Sequence, residues 1–252
     1  LFNRKCLELK NINRTKRIGA ADWPGGVLTV QQQISPDRKL MGTRLHHADD
    51  PEALVLALEL LGQGESVIIP TETILGLTAD AENSEAVARL YQVKQRAIDK
   101  VSAVFLPEAA AIGRFAKIEH VYTQRIIDHF LPGPLTVILK SRRFPWEGVV
   151  GADAKIGIRI SSEPFVSQLA RDFGRPLIAT SANRAGASES LDVRSAYRQF
   201  EDSVSLIVYR HETVSQVAST VVDLTGAKPE IMRQGEITLG ELMTIAAAVD
   251  RS

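Results

Sequence analysis

Brief apolar runs alternate with stretches of helical periodicity along the 252-residue sequence, and this alternation restricts the fold more than any other feature. The runs lie at 66–70, at 101–106 (VSAVFL), within "LPGPLTVILK", in "KIGIRI" and in "RPLIATSAN". They are too short for helices and are bounded by Gly, Pro or small polar residues, the signature of buried strands. Between them the spacing is helical. Asp50-Pro51 reads as an N-cap followed by proline at the first helical position, and Leu54, Leu58 and Leu61 continue the stripe until Gly62 and Gly64 stop it. Ser84 is placed to cap a second helix, with Val87, Leu90 and Tyr91 on one face. Further helices are expected near 108–116, 119–130, 163–173, 192–200 and 239–249, and further strands near 205–209, 219–224 and 230–233. Strands interleaved with helices predict an α/β domain around a largely buried, mixed sheet.

A hydrophobic fraction of 44% and a charged fraction of 24% suit a soluble chain with a sizeable core. No apolar run approaches the ~18–20 residues of a membrane helix. The single cysteine, Cys6, excludes an internal disulfide framework and a Cys-rich zinc site, and a cytoplasmic location is expected. Charge is uneven. Eight of the 30 Lys/Arg and three of the 30 Asp/Glu fall in residues 1–40, a net of +5, so the remainder carries −5. An acidic body is a poor broad binder of nucleic acid, and a phosphate ligand there needs a local basic cluster. Residues 1–40 also lack sustained periodicity. They are read as an N-terminal extension, with 41–252 as the functional domain.

Four strand ends run into small, polar or basic residues: Thr71-Glu72-Thr73, the loop after Ile160, Thr180-Ser181-Ala182-Asn183 and Ser219-Thr220. In α/β sheets ligands bind beyond strand ends, where loops expose backbone amides without disturbing the core. Together with Lys94, Arg96, Lys155, Arg159 and Arg233, these ends suggest a polyanion site. Lys94 is notable because it falls where the helical stripe calls for another apolar residue. Each piece also has a plainer reading: Thr71 and Thr73 as turn caps, Lys94 and Arg96 as answers to a helix dipole, Arg159 as a solvent-face strand residue. Neither G-x-x-x-x-G-K-[ST] nor G-x-G-x-x-G occurs, and the five histidines show no metal-ligand spacing, so no metal site is assigned.

The ordered set "IIPTETILGLTADA", "YQVKQR", "LPGPLTVILK", "IGIRI", "PLIATSANRAG", "STVVDLT" and "IMRQGEI" resembles the YrdC-like family, over roughly residues 50–237. The resemblance implies a twisted mixed β-sheet flanked by helices, with a large concave, positively charged cavity. It implies a nucleotidyltransferase, an L-threonylcarbamoyladenylate synthase using L-threonine, bicarbonate and ATP with Mg²⁺. Its product passes to a complex that modifies tRNA. By the same resemblance, Lys94, Arg96, Lys100, Lys155, Ser181, Asn183 and Arg233 fall at ATP positions, with Lys94 and Arg96 the catalytic pair. Thr73, Arg159, Ala179 and Ser219 fall at threonine positions, Arg159 taking the carboxylate.

Four departures touch the implied site. Leu75 stands where the family usually has tyrosine, Ala97 where it has proline, Val101-Ser102 where it has Pro-Leu, and Phe105 where it commonly has histidine. The competing expectations are therefore a catalytically altered RNA-binding or regulatory protein, and a related carbamoylating enzyme with another substrate.

Overall fold

In chain order the elements are β1 (Arg44–His47), α1 (Pro51–Gly62), β2 (Val67–Ile69), β3 (Gly76–Thr78), α2 (Ser84–Lys94) and β4 (Ala103–Phe105). A 3₁₀ turn (Ala109–Ala111), α3 (Ile112–Phe115), β5 (Ala116–Lys117), α4 (Val121–Phe130), β6 (Leu135–Ser141) and β7 (Lys155–Arg159) follow. The chain continues through α5 (Pro164–Phe173), β8 (Leu177–Ser181), α6 (Val193–Phe200), β9 (Leu206–Tyr209), β10 (Thr220–Asp223), β11 (Glu230–Arg233) and α7 (Leu239–Ala247). This computed structural model describes residues 42–98, 101–142, 148–190, 192–210, 215 and 217–248. The expectations for residues 1–40 and for Lys100 lie outside the described residues.

The helix ends follow local chemistry. Asp50 caps α1, its Oδ1 accepting the amide of Glu52 at 2.9 Å, with Pro51 at the first helical position. The cap of α2 is Asn83 and not Ser84, because the Asn83 Oδ1 reaches two amides, Glu85 N at 3.1 Å and Ala86 N at 3.2 Å. Capping boxes open α6 (Asp192 with Ser195) and α7 (Thr238 with Glu241).

The sheet is mixed, in the order β1-β9-β2-β3-β8-β4-β7-β6-β10-β11, with β5 paired to β6. Its strands alternate between two apolar environments, because successive side chains point to opposite faces. On one face Ile68, Leu77, Val104, Val137, Ile158, Ile178 and Val222 meet helices α2, α4, α6 and α7 through Leu90, Ile126, Phe200 and Leu242. On the other face Val67, Ile69, Phe105, Leu177, Leu206 and Val208 meet α1 and α5 through Ala57, Leu61, Val166 and Leu169. The two helices on this second face cover the half of the sheet built from β2, β9 and their neighbours. What the remaining strands present on that side decides where the site lies.

Candidate active site

The uncovered half of the second face is a cavity of about 340 Å³. Its floor follows the period-2 rule: Ala103 and Phe105 of β4, Thr136 and Ile138 of β6, Lys155, Gly157 and Arg159 of β7, Ala179 and Ser181 of β8, and Val221 and Asp223 of β10 all line it. The intervening Val104, Val137, Ile156, Ile158, Ile178 and Val222 belong to the core on the opposite face, while Thr180 at the end of β8 also reaches the cavity. Arg96, Ser219 and Arg233 complete the wall, so four cationic side chains face two carboxylates, Asp153 and Asp223. Gly157 keeps the floor open, since a Cβ there would sit 3.0 Å from the Ala103 Cβ.

Lys94, 3% exposed, does not line this cavity but lies behind it. Its ammonium donates to Ser181 O (2.5 Å), Asn183 O (3.0 Å) and Asn183 Oδ1 (3.0 Å), while the Ser181 hydroxyl donates to Asn183 Oδ1 at 2.6 Å. Asn183 Nδ2 then reaches Ala187 O at 2.9 Å, and Ala185 N donates to Lys94 O at 2.8 Å. Lysine and asparagine thus tie the loop after β8 to the end of α2. Burial pushes the Lys94 ammonium down to about 8; the charge of Arg96 adds to this, and Glu189 opposes it. Between Lys94 and Arg96, Gln95 adopts the left-handed conformation at φ 54°. That turn sends Lys94 into the protein and Arg96 to the cavity, which is the physical content of the K-x-R spacing.

Arg159, 8% exposed, lines the cavity while its Nη2 donates to Glu72 Oε1 at 3.0 Å and to Thr73 Oγ1 at 2.6 Å. Thr73 is fully buried, its hydroxyl 3.0 Å from that of Thr71, so it supports the arginine from outside the lining. On the opposite wall, Arg233 donates through Nε and Nη2 to Ser219 O (3.1 and 2.9 Å) and through Nη2 to Ser219 Oγ (3.1 Å), and that hydroxyl lies 2.9 Å from Thr136 Oγ1. Gly235 lets its loop close on this serine, because a Cβ would fall 2.4 Å from Ala218 O and 2.6 Å from the Ser219 carbonyl carbon. Burial lowers the Arg233 guanidinium from its ordinary range against the pull of Glu189, and like charge from Arg159 and Arg96 adds to the lowering. An anion between these arginines relieves that repulsion.

Lys155 donates to Asp223 at 2.8 Å, and this bond raises the lysine. Burial would raise Asp223, but the bonds from Lys155 and Thr225 outweigh it and hold the carboxyl below its usual range. Asp153 lies 3.5 Å from the same ammonium. Both lining carboxylates thus lie against Lys155, Asp223 in a hydrogen bond and the more exposed Asp153 at longer range, and these two are the lining groups that could meet Mg²⁺. Among the described residues, His46, Asp50 and Glu52 bring three potential metal ligands together, but none of them lines the cavity.

Of the residues singled out in the sequence, Arg96, Lys155, Arg159, Ala179, Ser181, Ser219 and Arg233 line one cavity. Lys94, Asn183 and Thr73 sit directly behind it. Sequence reasoning singled out the strand ends that hold Glu72 and Ser161 but gave no role to either residue, and it passed over Thr136. Glu72 had a signal, a carboxylate between two threonines at a strand end, but its partner lies 87 residues away.

The family model described as "Telomere recombination", covering Sua5, YciO and YrdC, matches residues 59–235. The chain belongs to this family. A Sua5/YciO/YrdC relative from Pseudoalteromonas translucida, named threonylcarbamoyl-AMP synthase, is 27% identical over 71% of this chain and 97% of its own length. A Bos taurus protein of the same name is 33% identical over 69% of this chain and 64% of its own. The structure of Pyrococcus abyssi Sua5 complexed with L-threonine superposes with a TM-score of 0.72 at 27% identity, covering 76% of this chain and 56% of that one. Of the four departures, Leu75, Val101-Ser102 and Phe105 line the cavity, and Ala97 does not. Phe105 is only 1% exposed, packs with Phe165 and Leu169, and carries the Arg159 guanidinium 5.6 Å from its ring centroid. It sits where the helix-covered half of the sheet face meets the open half.

Proposed function

We propose that this chain is a threonylcarbamoyl-AMP synthase, converting L-threonine, bicarbonate and ATP to threonylcarbamoyl-adenylate, pyrophosphate and water. The observation that carries this reading is the convergence of Arg96, Lys155, Arg159 and Arg233 with Ser181 and Ser219 on one cavity, in a family whose named relatives are such synthases. Arg96, Lys155 and Arg233 take the phosphates, with arginine offering a bidentate fork. Ser181 meets the nucleotide, on a loop set by Lys94 and Asn183. Arg159, Ser219 and the Ala179 backbone receive the amino acid, and Thr73 orders Arg159. No protein nucleophile is required. The amine of threonine adds to bicarbonate-derived CO₂, and the resulting N-carboxylate attacks the α-phosphorus in line with departing pyrophosphate. The chain contributes position and charge. Mg²⁺ would enter with ATP as part of the substrate and would offset phosphate charge.

The product feeds N6-threonylcarbamoylation of tRNA adenosine through a separate transfer complex in the cytoplasm. Among the described residues no helix is long and apolar enough to cross a membrane. The net −5 of residues 41–252 disfavours a primary role in RNA binding. Leu75 and Phe105 favour a second reading of substrate choice, in which a less polar amino acid competes with threonine. Pyrophosphate release from ATP and bicarbonate, measured across a panel of amino acids, tests both. Threonine-dependent release supports the synthase, and no release with any amino acid refutes it.

A further inference from the structure

Arginine in a cavity wall has four rotatable bonds, and an amino-acid carboxylate is recognised only if the guanidinium is already held in place. In this protein the holding group is a buried carboxylate that does not itself line the cavity. Glu72, 8% exposed, lies at the tip of the β2–β3 loop. Its Oε1 accepts from Arg159 Nη2 at 3.0 Å and its Oε2 accepts from the Ser161 hydroxyl, two residues beyond the end of β7. Ser161 Oγ in turn accepts the amide of Glu163 at 3.2 Å, and Glu163 both caps α5 and takes Arg210 Nε at 2.7 Å. One carboxylate therefore braces the arginine against the start of the next helix. With Thr73 it uses both protons of Nη2, while the buried Nε has no hydrogen-bond partner among the described residues.

We propose that Glu72 is a positioning residue for amino-acid recognition, acting through Arg159. It fixes the guanidinium through Nη2, leaves Nη1 to meet a ligand carboxylate, and keeps the empty site from burying an uncompensated charge. This rests on the reading of Arg159 as the carboxylate ligand. The signature of a role through another residue is that the effect disappears when that residue is changed.

The test is steady-state pyrophosphate release with L-threonine, comparing wild type, Glu72→Gln, Arg159→Lys and the double variant. Glu72→Gln keeps the shape and one acceptor but removes the charge. It is expected to raise the threonine KM about tenfold, the lower range for a charge-assisted hydrogen bond, while the ATP KM changes little and the ligand-free protein melts lower because Arg159 loses its buried counter-charge. In the Arg159→Lys background the same substitution should add less than about twofold. An unchanged threonine KM in Glu72→Gln, or an undiminished effect in the Arg159→Lys background, overturns the proposal. If Glu72→Gln fails to fold, Ser161→Ala decides: it removes the second brace, and an unchanged threonine KM there overturns the proposal equally. A wild-type KM retained in Arg159→Lys sinks the carboxylate reading of Arg159 itself. Absence of threonine turnover by wild type overturns both.

Discussion

Replacing Lys94 by methionine separates what the buried ammonium does for the loop from what it does for the fold. The drop from 10.5 to about 8 corresponds to about 3 kcal/mol against the charged form in its folded setting. Methionine removes that burden and fills similar volume, but gives up the three bonds to Ser181 O, Asn183 O and Asn183 Oδ1. Those three bonds are worth about 1 kcal/mol each, so the gain and the loss nearly cancel. The expected change in stability is within about 2 kcal/mol, or roughly 4–8 °C in melting temperature. Nucleotide binding should instead fall sharply, because the Ser181–Asn183 loop loses its anchor. Wild-type pH dependence supplies a second handle. Between about 8 and 10.5 the unfolded chain holds more protons at this lysine than the folded one, so its contribution to stability rises with pH across that window. Loop anchoring moves the other way, since deprotonation above about 8 removes one donor. The assays are calorimetric ATP titration and thermal melts at pH 7 and 9, on wild type and Lys94→Met. Wild type should gain stability relative to the variant on going to pH 9 while losing ATP affinity. A variant that melts more than 15 °C lower with ATP affinity intact would refute this account and make Lys94 a purely structural cation.

Arg96→Ala should weaken ATP binding by about 1.5–3 kcal/mol, the worth of a charge-assisted bond, with unchanged affinity by calorimetry placing Arg96 outside the nucleotide site. Gly235→Ala should displace Ser219 and Arg233 together, lowering both threonine and ATP affinity; wild-type values for both would show the loop can retreat without cost to the site. Phe105→His should raise the preference for threonine over serine and valine by restoring a polar contact, at a stability cost because the position is 1% exposed. Strong threonine selectivity in wild type would defeat that expectation. A chain starting at Met41 should melt within error of the full chain, and a large loss would show residues 1–40 to be integral.

Period-2 and period-3.6 patterns made most of the sheet and helices legible, because each central strand buries at least one apolar face and the helices carry one apolar stripe. The exceptions share a cause. β1, β3 and β5 were not anticipated, since Arg44–His47 and Gly76–Thr78 have little apolar pattern and are held as strands by pairing with β9, β2 and β8. The stretch expected as a helix near 108–116 splits into a 3₁₀ turn, one α-turn and β5, because Ala116–Lys117 pairs with β6. Long-range hydrogen bonds override local preference in each case.

The sequence by itself determined the fold class, the family and the identity of the basic and hydroxyl residues at the strand ends, because these depend on residue types at fixed spacing. It also marked Lys94, where a cation breaks an apolar stripe. Only the tertiary structure decided which of those residues reach the cavity and which stand behind it. Arg159 could equally have faced solvent on an alternating strand; it lines the cavity because α1 and α5 cover only part of its sheet face, and it lies buried there because Glu72 waits across 87 residues of sequence to pair with it. Phe105 belongs to core and cavity at once for the same reason. Those assignments come from how much of a face the packed helices leave open, a quantity set by the whole fold and written at no single position in the chain.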